Sequence, residues 1–238
     1  MTAPSRPSIR LHALIPCAGS GSRAGTDVPK QYQSVAGQTL VAHTLDAFAQ
    51  VARLATVLVV VAPGDETLAR LTGLRARPQV AHCGGPTRAA SVVGGLHELR
   101  RLGAADGDWV LVHDAARCLI TPALIDRLID ACLDDPVGGL LAQPLADTLK
   151  FGPQGRVAAT IPREGHWLAQ TPQMFRLANL TQALEAAGPA VTDEASAIEA
   201  AGLQPRLVMG SARNIKVTWP EDFALAQALL SSTRTLDA

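Results

Sequence analysis

The sequence predicts an α/β fold: a Rossmann-like, doubly wound and mainly parallel sheet with helices on both faces. Short apolar runs alternate with amphipathic stretches along most of the chain. This alternation is typical of βαβ units, whose crossover helices cover both faces of a parallel sheet. The 238 residues leave room for one large domain. We expect it to span residues 9–232, between disordered tails at 1–8 and 233–238.

The candidate strands are five apolar runs, at residues 11–16, 56–62, 79–82, 109–113 and 139–143. The candidate helices are amphipathic stretches at residues 40–50, 66–74, 87–102 and 122–133. Pro122 behind Thr121 is typical of a helix start, because proline fits the first turn and threonine caps it. Near the C-terminus, Thr218 and Glu221 predict a capping box before the helix EDFALAQALL.

Residues 147–163, DTLKFGPQGRVAATIPR, alternate apolar and polar side chains around the turn signal GPQG. This pattern predicts a β-hairpin. A lone two-stranded hairpin is marginally stable in water, so it needs a surface to pack on. We therefore predict a projecting β-arm at about residues 145–165, which two copies of the chain exchange in a homodimer.

The composition excludes several classes of function. Basic and acidic residues balance at 21 each, which argues against nucleic-acid and membrane-surface binders, because these need a basic surface. The N-terminal MTAPSRPSIR does not resemble a secretory signal, and no apolar run is long enough to span a bilayer. Without a C-x-x-C pair, Cys17, Cys83, Cys118 and Cys132 predict buried free thiols in a reducing cytoplasm.

A glycine-rich loop, CAGSGSRAG, directly follows the first predicted strand. Glycines and serines allow successive backbone N–H groups to converge on an anion, so the loop predicts phosphate binding. Gly19, Gly21 and Ala24 match the G-x-G-x-x-A spacing of a dinucleotide site. A dinucleotide site also requires that a helix begins directly after the glycines and that an acidic residue follows about 20 residues later. Pro29 interrupts any such helix, and the first acid after the second strand is Asp65, far too late.

Two cations in this region indicate a different phosphate ligand. Arg23 and Lys30 add fixed positive charge to the glycine loop, and no G-K-[ST] sequence follows it as a P-loop requires. Cations beside a phosphate cradle suit a triphosphate attacked at its α-phosphorus, since phosphoryl transfer depends on alignment and charge neutralisation.

Five short motifs follow one another along the chain: PCAGSGSRAGTDVPKQY, VHDAAR, TPQ, TDEASAIE and NIKVTWPED. Together they resemble those of the 2-C-methyl-D-erythritol 4-phosphate cytidylyltransferase family, and the resemblance extends from about residue 10 to 230. It implies that CTP and 2-C-methyl-D-erythritol 4-phosphate react to a CDP-linked alcohol and pyrophosphate, a step of isoprenoid precursor biosynthesis. It also implies a divalent ion, usually Mg²⁺, bound mainly through the CTP phosphates.

The resemblance implies roles for single residues. Arg23 and Lys30 would stabilise the transition state at the α-phosphate, while Lys216 and Arg163 of the partner subunit would hold the attacking phosphate. The implied substrate-binding residues are Cys17, Ala18, Gly19, Gly21, Gly85, Ser91, Asp114, Arg117, Thr148 and Thr192. Within this set, backbone groups of the first loop and of Gly85, with the Ser91 hydroxyl, would read cytosine. No residue is expected to be a metal ligand.

Three neighbours of these residues are expected to be structural. A phosphate monoester is mostly dianionic at neutral pH, so its attack needs no general base. His113 precedes Asp114 on a strand and points to the opposite face, which predicts packing. Asp193 and Glu194 are expected in the first turn of a helix capped by Thr192, where negative charge is favourable.

The segment GGPTRAAS, residues 84–91, departs from the family pattern. Pro86, Thr87 and Ala90 lie where the family usually carries acids near Arg88 and Ser91. Pro86 has no N–H group, so a backbone donor to cytosine is lost there. These departures concern base specificity and not the type of reaction.

The nearest alternative function is a relative that acts on another polyol phosphate such as ribitol 5-phosphate. The missing acid after the second strand disfavours a nicotinamide-dependent oxidoreductase, and Arg23, Lys30 and Lys216 argue against a catalytically silent nucleotide-binding protein.

Overall fold

The computed structural model describes residues 9–19, 28–188 and 191–236, with side chains as far as residue 232. In this part of the chain eleven strands are present. They are β1 (Leu11–Pro16), β2 (Ser34–Val35), β3 (Gln38–Thr39), β4 (Leu54–Val60), β5 (Gln79–Ala81), β6 (Trp109–Val112), β7 (Gly138–Pro144), β8 (Leu149–Phe151), β9 (Ala159–Ile161), β10 (Trp167–Arg176) and β11 (Arg206–Met209).

Seven strands form the central sheet, in the order β11-β7-β10-β6-β1-β4-β5. Only β10 is antiparallel, to both β6 and β7, so the predicted mainly parallel sheet is confirmed. The chain leaves β1 first toward β4 and β5, then returns to its other side at β6. This reversal creates a crevice at the carboxyl end of β1, where ligands of doubly wound sheets bind.

Helices cover both faces of the sheet, as predicted. They are α1 (Leu40–Ala49), α2 (Arg88–Arg101), α3 (Pro122–Cys132), α4 (Leu177–Ala187), α5 (Glu194–Ala200) and α6 (Pro220–Leu236). Side chains of β1 alternate between two apolar cores, because successive residues of a strand face opposite ways. Ala13 and Ile15 pack with α1 and α3, whereas Leu14 packs with α2, α4 and α5. Thr121 caps α3 as predicted, with Pro122 in its first turn.

The prediction of a helix at residues 66–74 is wrong. Only a 3₁₀ turn, Leu68–Arg70, forms there, and Gly73 has a positive φ of 78°. Leu68 is the one fully buried side chain of this segment, so a helix would have little apolar surface to pack.

The C-terminal helix begins and ends differently from the prediction. Asp222, rather than Glu221, accepts the backbone N–H groups of Thr218 (2.7 Å) and Trp219 (2.8 Å). Because the helix begins at Pro220, its third residue, the position from which a capping-box side chain reaches back, is Asp222. The helix continues to Leu236, into the segment expected to be a tail. The other predicted tail, residues 1–8, lies outside the described residues.

A two-stranded antiparallel hairpin occupies the segment predicted as an arm. Leu149 pairs with Ile161 and Phe151 with Ala159, and the two strands form a sheet of their own. Phe151 is 55% exposed and Val157 is 67% exposed. Exchange of this arm between subunits stays a prediction.

All four cysteines are free thiols, but they differ in burial. Cys17, Cys118 and Cys132 are buried as predicted, whereas Cys83 is exposed. The prediction fails for Cys83 because it follows β5, the edge strand of the sheet. Desolvation raises the pKa of Cys17 to about 12, so this thiol, although beside the cavity described below, stays protonated. Across the described helices, none has the length and apolarity needed to span a bilayer.

Candidate active site

The main cavity, about 500 Å³, lies at the carboxyl ends of β1 and β6. Four segments and one lysine form its walls: the start of the glycine loop, the turn at Lys30, the start of α2 with the residues before it, the residues after β6, and Lys216. Eight predicted site residues line it, namely Cys17, Ala18, Gly19, Lys30, Gly85, Ser91, Asp114 and Lys216. The crossover topology therefore brings residues from distant parts of the chain to one crevice.

A second cavity of about 260 Å³ adjoins the first and shares Arg88, Asp114 and Lys216 with it. It adds the predicted residues Arg117 and Thr192. The two cavities thus share one set of charged side chains.

The remaining predicted residues are not placed in these cavities. Gly21 and Arg23 lie outside the described residues. Thr148 is exposed at the base of the hairpin, and the Arg163 guanidinium donates to the Ala146 carbonyl on the same arm. A single chain therefore does not bring Thr148 and Arg163 to the lysines.

A short turn at residues 30–32 is bonded to the described start of the glycine loop and to the segment of Lys216. Lys30 donates from Nζ to the Val217 carbonyl at 2.7 Å, which ties this turn to the segment of Lys216. Gln31 donates from Nε2 to the carbonyls of Cys17 (3.1 Å) and Gly19 (2.8 Å). Gln31 is 6% exposed and was not among the site residues predicted from the sequence. The only sequence feature that could have indicated a role for Gln31 is its position directly after Lys30 in PKQY.

Asp65, the acid considered for a dinucleotide, has a structural role. Its carboxylate accepts from the Tyr32 hydroxyl (2.8 Å) and from the Thr67 backbone N–H (2.8 Å). It also lies outside the residues lining either cavity. This placement agrees with the rejection of a dinucleotide site.

Asp114 is the electrostatic centre of the site. Its side chain is 9% exposed and pairs with Arg88 (Nε–Oδ1, 2.7 Å) and Lys216 (Nζ–Oδ2, 2.7 Å). Burial alone would raise the pKa of this carboxyl, but the charges of Arg88, Lys216 and Arg117 hold it well below its usual range. Asp114 is therefore ionised throughout the neutral range and keeps the cations in place.

Arg88 and Glu194 were not selected from the sequence as site residues. Glu194 is fully buried, and its two oxygens accept from the Arg88 guanidinium at 2.6 and 3.0 Å. Burial would lower the pKa of Arg88, but Glu194 and Asp114 together raise it. Arg88 lies in the segment GGPTRAAS and Glu194 in the motif TDEASAIE, so both were visible in the sequence. No local pattern indicates that the two side chains form a pair.

Arg117 mainly joins two segments of the chain. Its guanidinium donates to the carbonyls of Asn214 (2.7 Å) and Ala169 (3.3 Å), and Nε lies 3.8 Å from Asp114. Burial lowers the pKa of Arg117, and the Asp114 charge partly offsets this effect. Its contact with substrate stays a prediction.

The loop before α2 approaches the glycine loop closely. A Cβ on Gly84 would lie 2.7 Å from the Val61 carbonyl oxygen and still nearer to the Ala18 side chain. Ser91 accepts from the Gly85 N–H (3.1 Å) and donates to the Thr87 carbonyl (3.0 Å). The Ser91 hydroxyl therefore shapes this wall of the cavity, and a nucleotide base would meet a fixed surface.

The cap of α5 differs from the predicted one. Asp193, not Thr192, is the N-cap: it accepts the Ser196 N–H at 2.9 Å, and the Ser196 hydroxyl bonds back. An aspartate carboxylate is a stronger cap than a threonine hydroxyl. Thr192 is left exposed at the second cavity, and Glu194 lies in the first turn as predicted.

His113 is buried on the opposite side from Asp114, as predicted. Its Nε2 lies 3.3 Å from the Arg117 carbonyl, and its Nδ1 lies 3.0 Å from the Thr171 hydroxyl. A carbonyl only accepts, so Nε2 carries the proton and Nδ1 accepts from Thr171. The imidazole is thus neutral and packs beside Phe48.

The buried, neutral His113 should make the stability of the folded protein depend on pH. Burial lowers the pKa of His113 to about 3, whereas an unfolded chain has a histidine pKa near 6.5. The stabilising contribution is therefore complete above about pH 6.5 and is lost as pH falls toward 3. We expect the free energy of unfolding to fall by about 1.4 kcal/mol per pH unit more in the wild type than in His113→Gln.

Urea unfolding at pH 7, 6, 5 and 4 measures this difference. His97→Gln is the matched control, because His97 is an exposed histidine whose partner Glu185 is also at the surface. Equal slopes for the wild type and His113→Gln would contradict a neutral, buried imidazole.

Comparison with known proteins agrees with this geometry. The family model described as IspD, 2-C-methyl-D-erythritol 4-phosphate cytidylyltransferase, matches residues 11–232. A cytidylyltransferase of that name from Burkholderia multivorans is 56% identical, over 93% of this chain and 96% of its own length. A bifunctional IspD/IspF enzyme from Albidiferax ferrireducens is 62% identical over 96% of this chain, which covers 55% of that longer protein.

A solved structure supports the same assignment. The crystal structure of a 4-diphosphocytidyl-2C-methyl-D-erythritol synthase is 39% identical, with a TM-score of 0.83 over 94% of this chain and 100% of its own. The order of strands, the cavity at the switch point and these similarities agree. The chain belongs to the 2-C-methyl-D-erythritol 4-phosphate cytidylyltransferase family, the CTP-dependent nucleotidyltransferases of isoprenoid precursor biosynthesis.

Proposed function

We propose that this chain transfers CMP from CTP to 2-C-methyl-D-erythritol 4-phosphate. A phosphate oxygen of the acceptor attacks the α-phosphorus in line, and the bond from that phosphorus to the bridging oxygen of the β-phosphate breaks. Pyrophosphate leaves with the bonding electrons, and the product is 4-diphosphocytidyl-2-C-methyl-D-erythritol. The observation that carries the proposal is the pair of cavities that meet at Asp114 and Lys216.

Catalysis rests on cations placed around the reacting phosphate. Lys30 and Arg23 neutralise charge that develops on the α-phosphate and the leaving pyrophosphate. Lys216 and Arg163 of the partner subunit orient the attacking phosphate. Support comes from Lys30 and Lys216, which both line the main cavity although 186 positions separate them in sequence.

The main cavity accepts the nucleotide. Backbone groups of Cys17, Ala18 and Gly85 form one end of it and would bind the cytosine edge, with Ser91 beside them. Pro86 also lines this end and offers only a carbonyl oxygen. That acceptor suits the exocyclic amino group of cytosine, which is a donor. A base with a keto oxygen in place of this amino group would find no hydrogen-bond donor on Pro86.

Mg²⁺ would be held mainly by the phosphates of CTP, where it neutralises their charge. Asp114 is the one carboxylate among the described residues that line the main cavity, and both of its oxygens already bind cationic side chains. Within the described ranges no group of three or more His, Cys, Asp or Glu side chains is arranged to hold a metal ion. Mg²⁺ bound with few protein ligands is common at phosphate sites.

The working unit is a homodimer with exchanged arms. Thr148 and Arg163 lie on the hairpin, away from the cavities of their own chain, and the arm exposes Phe151 and Val157. Exchange would bury these apolar side chains and bring Arg163 to the partner's second cavity. The four free cysteines support a reducing compartment such as the cytoplasm.

Mixing two inactive variants tests the exchange. Arg163→Ala and Lys30→Ala homodimers should each lose most activity, because each lacks one cation in every site. After subunit exchange, mixed dimers contain one intact site, so up to a quarter of the wild-type activity should return in an equal mixture. A mixture that stays as inactive as its components, although mass spectrometry shows mixed dimers, would place Arg163 in its own subunit's site.

Pyrophosphate release with a panel of substrates tests the reaction. We expect turnover with CTP and 2-C-methyl-D-erythritol 4-phosphate, and far less with ATP, GTP or UTP. Ribitol 5-phosphate is the competing acceptor, and turnover with it alone would assign a different polyol phosphate. CTP binding without pyrophosphate release would indicate a silent binding protein.

A further inference from the structure

A chain of four alternating charges runs from the protein core to the substrate cavities. It begins at Glu194 on α5, passes through Arg88 on α2 to Asp114 after β6, and ends at Lys216. We propose that Arg88 and Glu194 are a positioning pair, which fixes the Asp114 carboxylate and thereby sets where Lys216 meets the acceptor phosphate. The inference rests on the proposed function, because that phosphate belongs to its acceptor substrate.

The chain of charges begins at a side chain without solvent exposure and ends at one that is partly exposed. Glu194 is 0% exposed, Asp114 9%, Arg88 27% and Lys216 36%. Glu194 lies outside the residues that line the two substrate cavities. It therefore acts on substrate only through Arg88, which lines both cavities.

The bonds within the chain fix the plane of the Arg88 guanidinium. Its two terminal nitrogens donate to the two oxygens of Glu194, at 2.6 and 3.0 Å, and its Nε donates to Asp114 at 2.7 Å. A fork of this kind restricts rotation, because all three bonds depend on one rigid plane. A lysine at this position would keep the charge but lose the geometry.

The position of Glu194 is itself fixed from the central sheet. Gln173 on β10 accepts the Ala195 N–H at 2.7 Å and donates to the Asp193 carboxylate at 2.8 Å. These two bonds hold the first turn of α5, so Glu194 is aimed toward α2. Gln173, the third residue of the TPQ motif, therefore has a structural role: it holds the start of α5.

Sharing of the Asp114 carboxylate explains why this arrangement matters. One oxygen binds Arg88 and the other binds Lys216, while Arg117 lies farther away at 3.8 Å. Without a fixed Arg88, the carboxylate would turn toward Lys216 with both oxygens and neutralise its charge more fully. The acceptor phosphate would then meet a weaker and less well placed cation.

Steady-state kinetics of Glu194→Gln tests the inference. Glu199→Gln is the matched control, since Glu199 carries the same group on the same helix but is exposed. We expect Glu194→Gln to lower kcat/KM for 2-C-methyl-D-erythritol 4-phosphate by about tenfold, while KM for CTP stays within about twofold. Glu194→Asp should show a similar loss, because the shorter side chain keeps the charge but not both bonds.

A double variant separates positioning from simple stabilisation. Arg88→Lys alone should lose at least as much as Glu194→Gln, and adding Glu194→Gln to it should cost less than about twofold more. The thermal midpoint of each variant shows that the assayed protein is folded. Additive losses in the double variant would overturn a role of Glu194 through Arg88.

These measurements distinguish a failure of this inference from a failure of the proposed function. If the wild type turns over and both Glu194 variants keep the kinetic constants of Glu199→Gln, only this inference is overturned, even if their thermal midpoints fall. If the wild type does not turn over with CTP and 2-C-methyl-D-erythritol 4-phosphate, the proposed function is overturned and this inference with it.

Discussion

Lys30→Ala is expected to lower kcat by about a hundredfold or more, which is the scale of losing one donor to a charge that develops in a transition state. The lysine lines the main cavity and lies in the turn that supports the glycine loop. Because its Nζ also bonds the Val217 carbonyl at 2.7 Å, the substitution additionally loosens the segment of Lys216. KM for CTP should rise less than kcat falls, since most of the lost interaction belongs to the transition state.

Two further variants make this prediction sharper. Arg101→Ala removes one positive charge from an exposed site on α2 and should leave kcat within about twofold, because surface ion pairs contribute little. Lys30→Arg keeps the charge and should recover part of the activity. Pyrophosphate release with a folded Lys30→Ala protein at the rate of Arg101→Ala would rule out the assigned role.

Asp114→Asn is expected to destabilise the protein by about 1–3 kcal/mol and to abolish most activity, because it removes a buried carboxylate that accepts charge-assisted hydrogen bonds. Arg88 would keep its two bonds to Glu194, whereas Lys216, which is 36% exposed, would lose its bond to Asp114. The measurement is urea unfolding at pH 7, together with kcat/KM for the acceptor.

The sign of the pH effect follows from the lowered pKa of Asp114. A carboxylate with a lowered folded pKa stabilises above its unfolded pKa, near 3.9, and this contribution is lost as pH falls below that value. The difference between wild type and Asp114→Asn should therefore be full at pH 7 and shrink below about pH 4. Asp130→Asn, at a surface pair with Arg53, is the control and should change stability by less than about 0.5 kcal/mol. Equal destabilisation by both substitutions would contradict the central place of Asp114.

Much of the fold and of the cavity was predictable from local sequence. The strand at Leu11–Pro16 and the helix behind Thr121 depend on apolar patterning and a cap, which are local signals. The glycine loop, Lys30 and Lys216 lie within short motifs whose residue types suit phosphates. The failed helix at residues 66–74 had a helical pattern, but only Leu68 is fully buried there and Gly73 has a positive φ.

The charge chain could not be predicted in the same way. Arg88 and Glu194 are 106 residues apart, and they meet only because α2 and α5 pack on the same face of the sheet. Gln31 and Gln173 bind backbone groups, which carry no sequence signature. Such contacts depend on tertiary packing, so a list of substrate-contacting residues omits them.

Transfer of labelled phosphorus from CTP tests the proposed reaction most directly. With CTP labelled at the α-phosphorus and 2-C-methyl-D-erythritol 4-phosphate as acceptor, we expect the label in the CDP-linked alcohol. With CTP labelled at the γ-phosphorus, we expect the label in pyrophosphate. Label from the γ-phosphorus in the polyol product, or α-label released only as free CMP, would contradict cytidylyl transfer by this site.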